Sequence, residues 1–233
     1  MLKIKDLCSG YGKVQILNKA GLEVHPGEIV SLIGRNGMGK STFIKTVIGI
    51  LPVTSGEISF PHDKDISKVS AYKRAAMGMA YVPQGHGVFP DLTVEENLMV
   101  GALINKEEKE ERYDRIYEYF PRLAARKKQK AGTMSGGEQA MLSIGRVLVN
   151  KPKIILLDEP SEGVQPNIVH KMGEIVQQIS TDLGLTVLMV EQHLGLIQQI
   201  TQRAYVMDKG TIVTELTREQ VNNDAYVARY LSV

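Results

Sequence analysis

Three short segments of this chain carry residue types that could handle a phosphorylated ligand. In Gly34-Arg35-Asn36-Gly37-Met38-Gly39-Lys40-Ser41 the glycines let backbone N–H groups turn inward on phosphate oxygens. Lys40 places a cation on the β and γ oxygens, and the Ser41 hydroxyl can hold Mg²⁺. A helix starting near Ser41 adds the positive end of its dipole. In Ile154-Ile155-Leu156-Leu157-Asp158-Glu159, four apolar residues describe a buried strand that presents two carboxylates at the edge where α/β sheets bind ligands. Asp158 suits Mg²⁺ coordination through water, and Glu159 suits a base that polarises the attacking water. Without the glycine loop the same run reads as a strand ending in a solvated acidic turn. The third segment, Ser135-Gly136-Gly137-Glu138-Gln139, opens a helix whose glycines leave N–H donors exposed for an anion. Taken alone, it reads as a capped helix start.

Positioning these residues requires an α/β sheet. Short apolar or β-branched runs alternate with helical stretches, the pattern of a largely parallel sheet. Strands are predicted over 28–33, which delivers the glycine loop, and over 80–82, 154–157, 186–190 and 204–207, with a helix over 41–50. Residues 2–7 and 16–24, with turn residues at Gly10, Gly12, Pro26 and Gly27, predict a smaller N-terminal antiparallel β layer. Between Leu92 and Asn150 no strand is predicted, and helices are expected over 94–103, 107–120 and 136–149. The mixed charges of 106–115 describe a solvated helix face.

Composition narrows the partners. With 233 residues, 43% hydrophobic and 23% charged, one substantial core and one domain over 1–233 are expected, with a helical subdomain over about 88–150. A net charge of +2 is too small to argue for nucleic acid or an anionic membrane surface. The lone Cys8 excludes an internal disulfide or a cysteine-rich zinc site and fits a reducing compartment. The charged start Met1 to Asp6 does not read as a signal peptide, and no run of about 18 apolar residues spans a bilayer. Any membrane role therefore needs another chain as anchor.

The order of the three segments resembles ATP-binding-cassette (ABC) ATPases, over nearly the whole chain. The resemblance implies a P-loop NTPase (RecA-like) core and binding of ATP with Mg²⁺, with Thr42 joining the phosphate loop. Residues Ser135, Gly136, Gly137 and Glu138 match the family signature, which caps the ATP of the opposite subunit in a head-to-tail dimer. Met134 stands where the family usually has Leu. Tyr11 falls where an aromatic stacks on adenine, with simple packing as the alternative. Gln84, after Tyr81-Val82-Pro83, matches the glutamine that touches Mg²⁺ and links the core to the helical insert. The stretch 85–97, with a helix cap at Thr93 and Glu96, matches the rim that receives a membrane partner.

Two positions depart from that pattern. Gln165, within Ser161-Glu162-Gly163-Val164-Gln165-Pro166, stands where the family commonly has Asp, so the contact across the dimer is uncharged. The switch histidine falls on Gln192 by ungapped counting, with His193 one residue later. Register favours Gln192 as the γ-phosphate sensor, and a one-residue shift would bring in His193. Both departures resemble the cassettes of importers for branched-chain amino acids, and 161–166 the branch serving urea and short amides. The implied partners are integral membrane permease subunits, a second ATPase in a homo- or heterodimer, and an extracytoplasmic solute-binding protein, without nucleic acid. The place implied is the cytoplasmic face of the inner membrane. The alternative is a soluble cassette protein acting on nucleic acid or ribosomes, whose coiled coils, zinc modules or second cassette are not seen here.

Overall fold

The computed structural model describes residues 1–104 and 110–231. Strands β1 (Leu2–Tyr11) and β2 (Val14–Val24) form a hairpin across Gly12 and Lys13. Strand β3 (Ile29–Ile33) then runs into α1 (Lys40–Ile48), and β4 (Ser55–Ser59) returns to pair with β1. After α2 (Ala71–Ala76) and β5 (Met79–Val82) come four helices, α3 (Val94–Gly101), α4 (Glu110–Tyr119), α5 (Pro121–Ala124) and α6 (Gly136–Leu148). The rest alternates: β6 (Ile154–Asp158), α7 (Pro166–Leu183), β7 (Thr186–Val190), α8 (Leu194–Ile200), β8 (Arg203–Asp208), β9 (Thr211–Leu216), α9 (Arg218–Val221) and α10 (Asp224–Leu231).

Two sheets result. The antiparallel layer has the order β2-β1-β4, and the larger sheet has the order β5-β6-β7-β3-β8-β9, parallel except for β9 at its edge. The antiparallel layer therefore takes a third strand from beyond α1, which the polar run Ser55–Ser59 gave no pattern to predict. Gly10 is not a turn residue. It sits in β1 opposite Gln15, where a Cβ would lie 2.0 Å from the Val14 carbonyl oxygen. The helix expected from Ser41 starts one residue earlier and stops at Gly49, whose left-handed φ of 88° ends it. The helix expected over 94–103 tightens to 3₁₀ geometry at Ala102. Of the stretch 106–115, residues 105–109 lie outside the described residues.

Burial explains why the central strands are apolar throughout. Along β6, Ile154 and Leu156 pack with α1 and the antiparallel layer, whereas Ile155 and Leu157 pack with α3 to α7. A parallel sheet covered on both faces needs apolar residues at every position. The same alternation sends Asp158 to the α1 side, where Ser41 waits. Among the described residues the stretch between Leu92 and Asn150 holds no strand, and Thr93 and Glu96 form the expected capping box on α3. No helix among the described residues is long and apolar enough to cross a membrane.

Candidate active site

The phosphate loop is held from below and behind. Strand β3 is buried along its whole length and is followed by Gly34, whose φ is 146°. A Cβ there would lie 2.4 Å from the Met207 carbonyl oxygen, so only glycine lets the loop pass β8 this closely. Gly37 and Gly39 take φ of 77° and 103°, which L side chains adopt only under strain. Met38 anchors the far side, its carbonyl accepting from Gly210 N at 2.9 Å. Lys40 is 4% exposed and donates to the carbonyls of Gly34 at 2.8 Å and Arg35 at 2.9 Å. Burial lowers its pKa against the opposing pull of Glu159, Asp158 and Glu191.

The carboxylates sit where the β6 alternation sends them. Asp158 is fully buried, accepts from Ser41 Oγ at 3.0 Å and from Tyr81 OH at 3.3 Å, and has its pKa raised by burial. Glu159 has a φ of 49°, a left-handed conformation that costs a non-glycine residue about 1 kcal/mol. That turn aims its carboxylate back over the loop, where Oε1 lies 4.0 Å from Lys40 Nζ. Gln192 donates to Glu159 Oε1 and to Asn36 Oδ1, both at 2.7 Å. Gln84 reaches Glu159 Oε2 only at the limit of hydrogen bonding, 3.5 Å. Burial raises the Glu159 pKa, and the Gln192 hydrogen bond and Lys40 only partly offset this. A cavity of about 270 Å³ is lined by Asn36, Gly37, Gly39 to Thr42, Gln84 and Glu159.

The remaining candidates divide. Tyr11 ends β1 and is 49% exposed, and it contributes to the raised pKa of Tyr81. His193 points elsewhere: it is the N-cap of α8, and its Nδ1 accepts from Leu196 N at 3.2 Å. Gln165 is exposed at the N-cap of α7 and makes no cap hydrogen bond. Ser135 and Glu138 close a capping box on α6, and Arg126 lies 3.4 Å from Glu138 Oε1. Ser135, Gly137 and Glu138 line a cavity other than that of the phosphate loop.

Sequence reasoning missed two residues that shape the site. Glu191 is 2% exposed, and its carboxylate accepts the backbone N–H of Ser161, Gln192 and His193, fixing the turn that presents Gln192. Its signal was a charged residue directly after the apolar run 186–190. Tyr81 was noted only as a strand residue, yet its hydroxyl holds Asp158.

The oxygen donors of Ser41, Asp158 and the Gln84 amide suit a hard divalent cation that keeps several waters. Among the described residues no cluster of three His, Cys, Asp or Glu side chains could hold a metal alone. The arrangement can therefore cradle a nucleoside triphosphate, share a cation with its phosphates and set a carboxylate beside the terminal one.

Comparison with known proteins gives the family. Residues 17–162 match the ABC transporter family. The chain is 43% identical to the high-affinity branched-chain amino acid transport ATP-binding protein BraG of Pseudomonas aeruginosa, covering 97% of this chain and 99% of that one. It is 34% identical to the lipopolysaccharide export system ATP-binding protein LptB of Escherichia coli, covering 98% and 95%. It superposes on the ADP conformation of MJ1267, an ATP-binding cassette of an ABC transporter, with a TM-score of 0.85 and 27% identity, covering 99% and 96%. The chain belongs to the ABC transporter family, as one of its ATP-binding, ATP-hydrolysing subunits.

Proposed function

We propose that this chain energises import of branched-chain amino acids, or of related small polar solutes such as urea and short amides, through a membrane permease. It would work on the cytoplasmic face of the inner membrane with integral permease subunits, a second ATPase and an extracytoplasmic solute-binding protein. The solute class draws on the 43% identity to BraG over 97% of the chain and on the run Ser161 to Pro166. The observation that carries the catalytic part is the Gln192 amide bridging Glu159 and Asn36, which fixes a carboxylate at the mouth of the phosphate loop. We read residues 1–233 as one ATPase domain with a helical subdomain near 88–150.

In this reading Gly34 to Thr42 cradle the phosphates with their N–H groups, Lys40 neutralises the β and γ oxygens, and Tyr11 stacks on adenine. Ser41, Gln84 and Asp158 would hold Mg²⁺, which would supply charge neutralisation for the phosphoryl group. Glu159 accepts the proton of the attacking water, oriented by Gln192, which also senses the γ-phosphate. Residues Ser135 to Glu138 of a second subunit complete the site, so ATP closes the dimer and hydrolysis reopens it. A cassette acting on nucleic acid or ribosomes finds no support in these relatives, whose names are those of transporter components. An exporter role is a second reading, drawn from the likeness to LptB. Uptake of labelled leucine and of urea in cells lacking the chain, then complemented by it or by Lys40→Ala, decides between them. Uptake restored only by the intact chain is expected. Unchanged uptake of both solutes in the deletion would refute the import reading.

A further inference from the structure

A cavity of about 420 Å³ lies where α4 meets the far ends of α6 and α7, a size within the range of small-molecule sites. None of the phosphate-loop or signature residues lines it. Its apolar walls come from Ile116, Leu148, Val149 and Leu183. Charges of both signs stand among them, with Arg112, Arg115 and Lys151 against the carboxylate of Asp182. Arg112 belongs to the stretch expected as a solvated face, yet it is 7% exposed. Tyr119 links the two signs, its hydroxyl donating to Asp182 Oδ2 at 3.0 Å and accepting from Arg115. A carboxylate and a guanidinium each keep hydrogen-bonding capacity beyond one such bond.

Aliphatic walls with separate positive and negative groups complement a zwitterion that carries an aliphatic side chain. We propose that this cavity binds a branched-chain amino acid from the cytoplasm, so that the chain senses the solute it helps to import. The carboxylate lies on Arg115 and Lys151, the ammonium on Asp182, and the side chain against Ile116, Leu148, Val149 and Leu183. This rests on the importer reading above and selects within it, because urea brings neither charge nor aliphatic surface to these walls. The position gives the ligand leverage. Helices α6 and α7 start at the caps Ser135 and Gln165 and end at Leu148 and Leu183, rods of about 20 and 27 Å whose far ends line the cavity. A zwitterion held between Arg115 of α4 and Asp182 of α7 ties the helical subdomain to the core. Leucine affinity and ATP-driven dimer closure are thereby coupled, each changing the other by the same factor.

Calorimetric titration of the intact chain with leucine tests the site, and ATP binding reports that each variant folds. Leucine should bind, whereas 3-methylbutylamine, which lacks the carboxylate, and 4-methyl-2-oxopentanoate, which lacks the ammonium, should each bind about tenfold or more weakly, the scale of one charged hydrogen bond. Asp182→Asn should weaken leucine by a similar factor and leave the oxo acid within about threefold. Lys151→Gln should weaken leucine and the oxo acid but spare the amine. Equal losses of all three ligands in Asp182→Asn would overturn the charge pairing. A chain that binds ATP but not leucine would overturn this inference and leave the importer reading standing. Leucine affinity should also change when Glu159→Gln is closed with ATP, and an unchanged affinity would overturn the sensing role. Unchanged leucine uptake in cells lacking the chain would remove the importer reading, and the sensing role with it, even where leucine binds.

Discussion

The phosphate loop and the signature segment are both glycine-rich starts of buried helices, yet only one of them finds catalytic partners within the chain. Around the loop, residues far apart in sequence converge: Ser41 with Asp158, Lys40 with Glu159, and Gln192 with both Glu159 and Asn36. Around the signature, the polar side chains satisfy one another, Ser135 with Glu138 and Glu138 with Arg126. Its free capacity is the N–H edge of α6, the part a phosphate from outside could use. On the proposed reading one chain carries halves of two different sites, which a second copy or relative would bring together.

Breaking the complete half has the largest expected effect. Glu159→Gln should cut ATP hydrolysis by about a hundredfold or more while retaining ATP, because it removes a proton acceptor and leaves the phosphate contacts. Lys40→Ala should instead lose ATP binding, measured by nucleotide titration. Equal ATP affinity in the two variants would reverse these roles.

Breaking the incomplete half should spare binding. Gly136→Asp places a carboxylate at the helix end that faces phosphate in the proposed dimer, and about 2 kcal/mol of repulsion corresponds to roughly thirtyfold slower hydrolysis. ATP binding to the isolated chain should stay near normal. A Cβ at this position meets the Gly163 carbonyl oxygen at 3.1 Å, so Gly136→Ala controls for crowding without charge. Full hydrolysis in Gly136→Asp would reduce the segment to a helix cap.

Gln192 and His193 sharpen the comparison inside the complete half. Gln192→Ala removes a hydrogen bond to a carboxylate, worth about 1.5 kcal/mol, and turnover should fall about tenfold. His193→Ala removes the α8 cap and should cost about 1 kcal/mol in thermal unfolding with little change in turnover. The reverse ranking, measured with permease present, would give the sensing role to His193.

The smallest effect concerns pH. Burial raises Glu159 above its ordinary value of 4.5, so its proton is lost later than that of an exposed glutamate as pH rises. Hydrolysis should therefore climb with pH through a value above 4.5 on its acid limb. By linkage, the stability this group contributes is greatest below its unfolded pKa and declines as pH rises through the folded one. An acid limb at or below 4.5 would show that Lys40 and Gln192 outweigh burial.

Local chemistry made the phosphate loop and the strand before Asp158 legible, because each is written in contiguous residues. Contacts between distant residues were not legible. Gln192 and Asn36 meet across 156 positions, and only the folded sheet reveals that Gln192 links Asn36 to Glu159. The Gln192-versus-His193 choice was open in sequence for the same reason, although a histidine three residues before the Leu196 N–H it caps was visible there. Strands β4 and β9 were missed because their runs Ser55–Ser59 and Thr211–Leu216 are edge strands with exposed positions that dilute the apolar pattern.

The two-halves claim is tested most directly by sedimentation of Glu159→Gln with saturating ATP and Mg²⁺. A dimer holding one nucleotide per subunit, which dissociates when Gly136→Asp is added to the same chain, is expected. If the partner is a different ATPase, the same dimer should form once that subunit is supplied. A species that stays monomeric with ATP bound, both alone and with the second subunit and permease present, would contradict it.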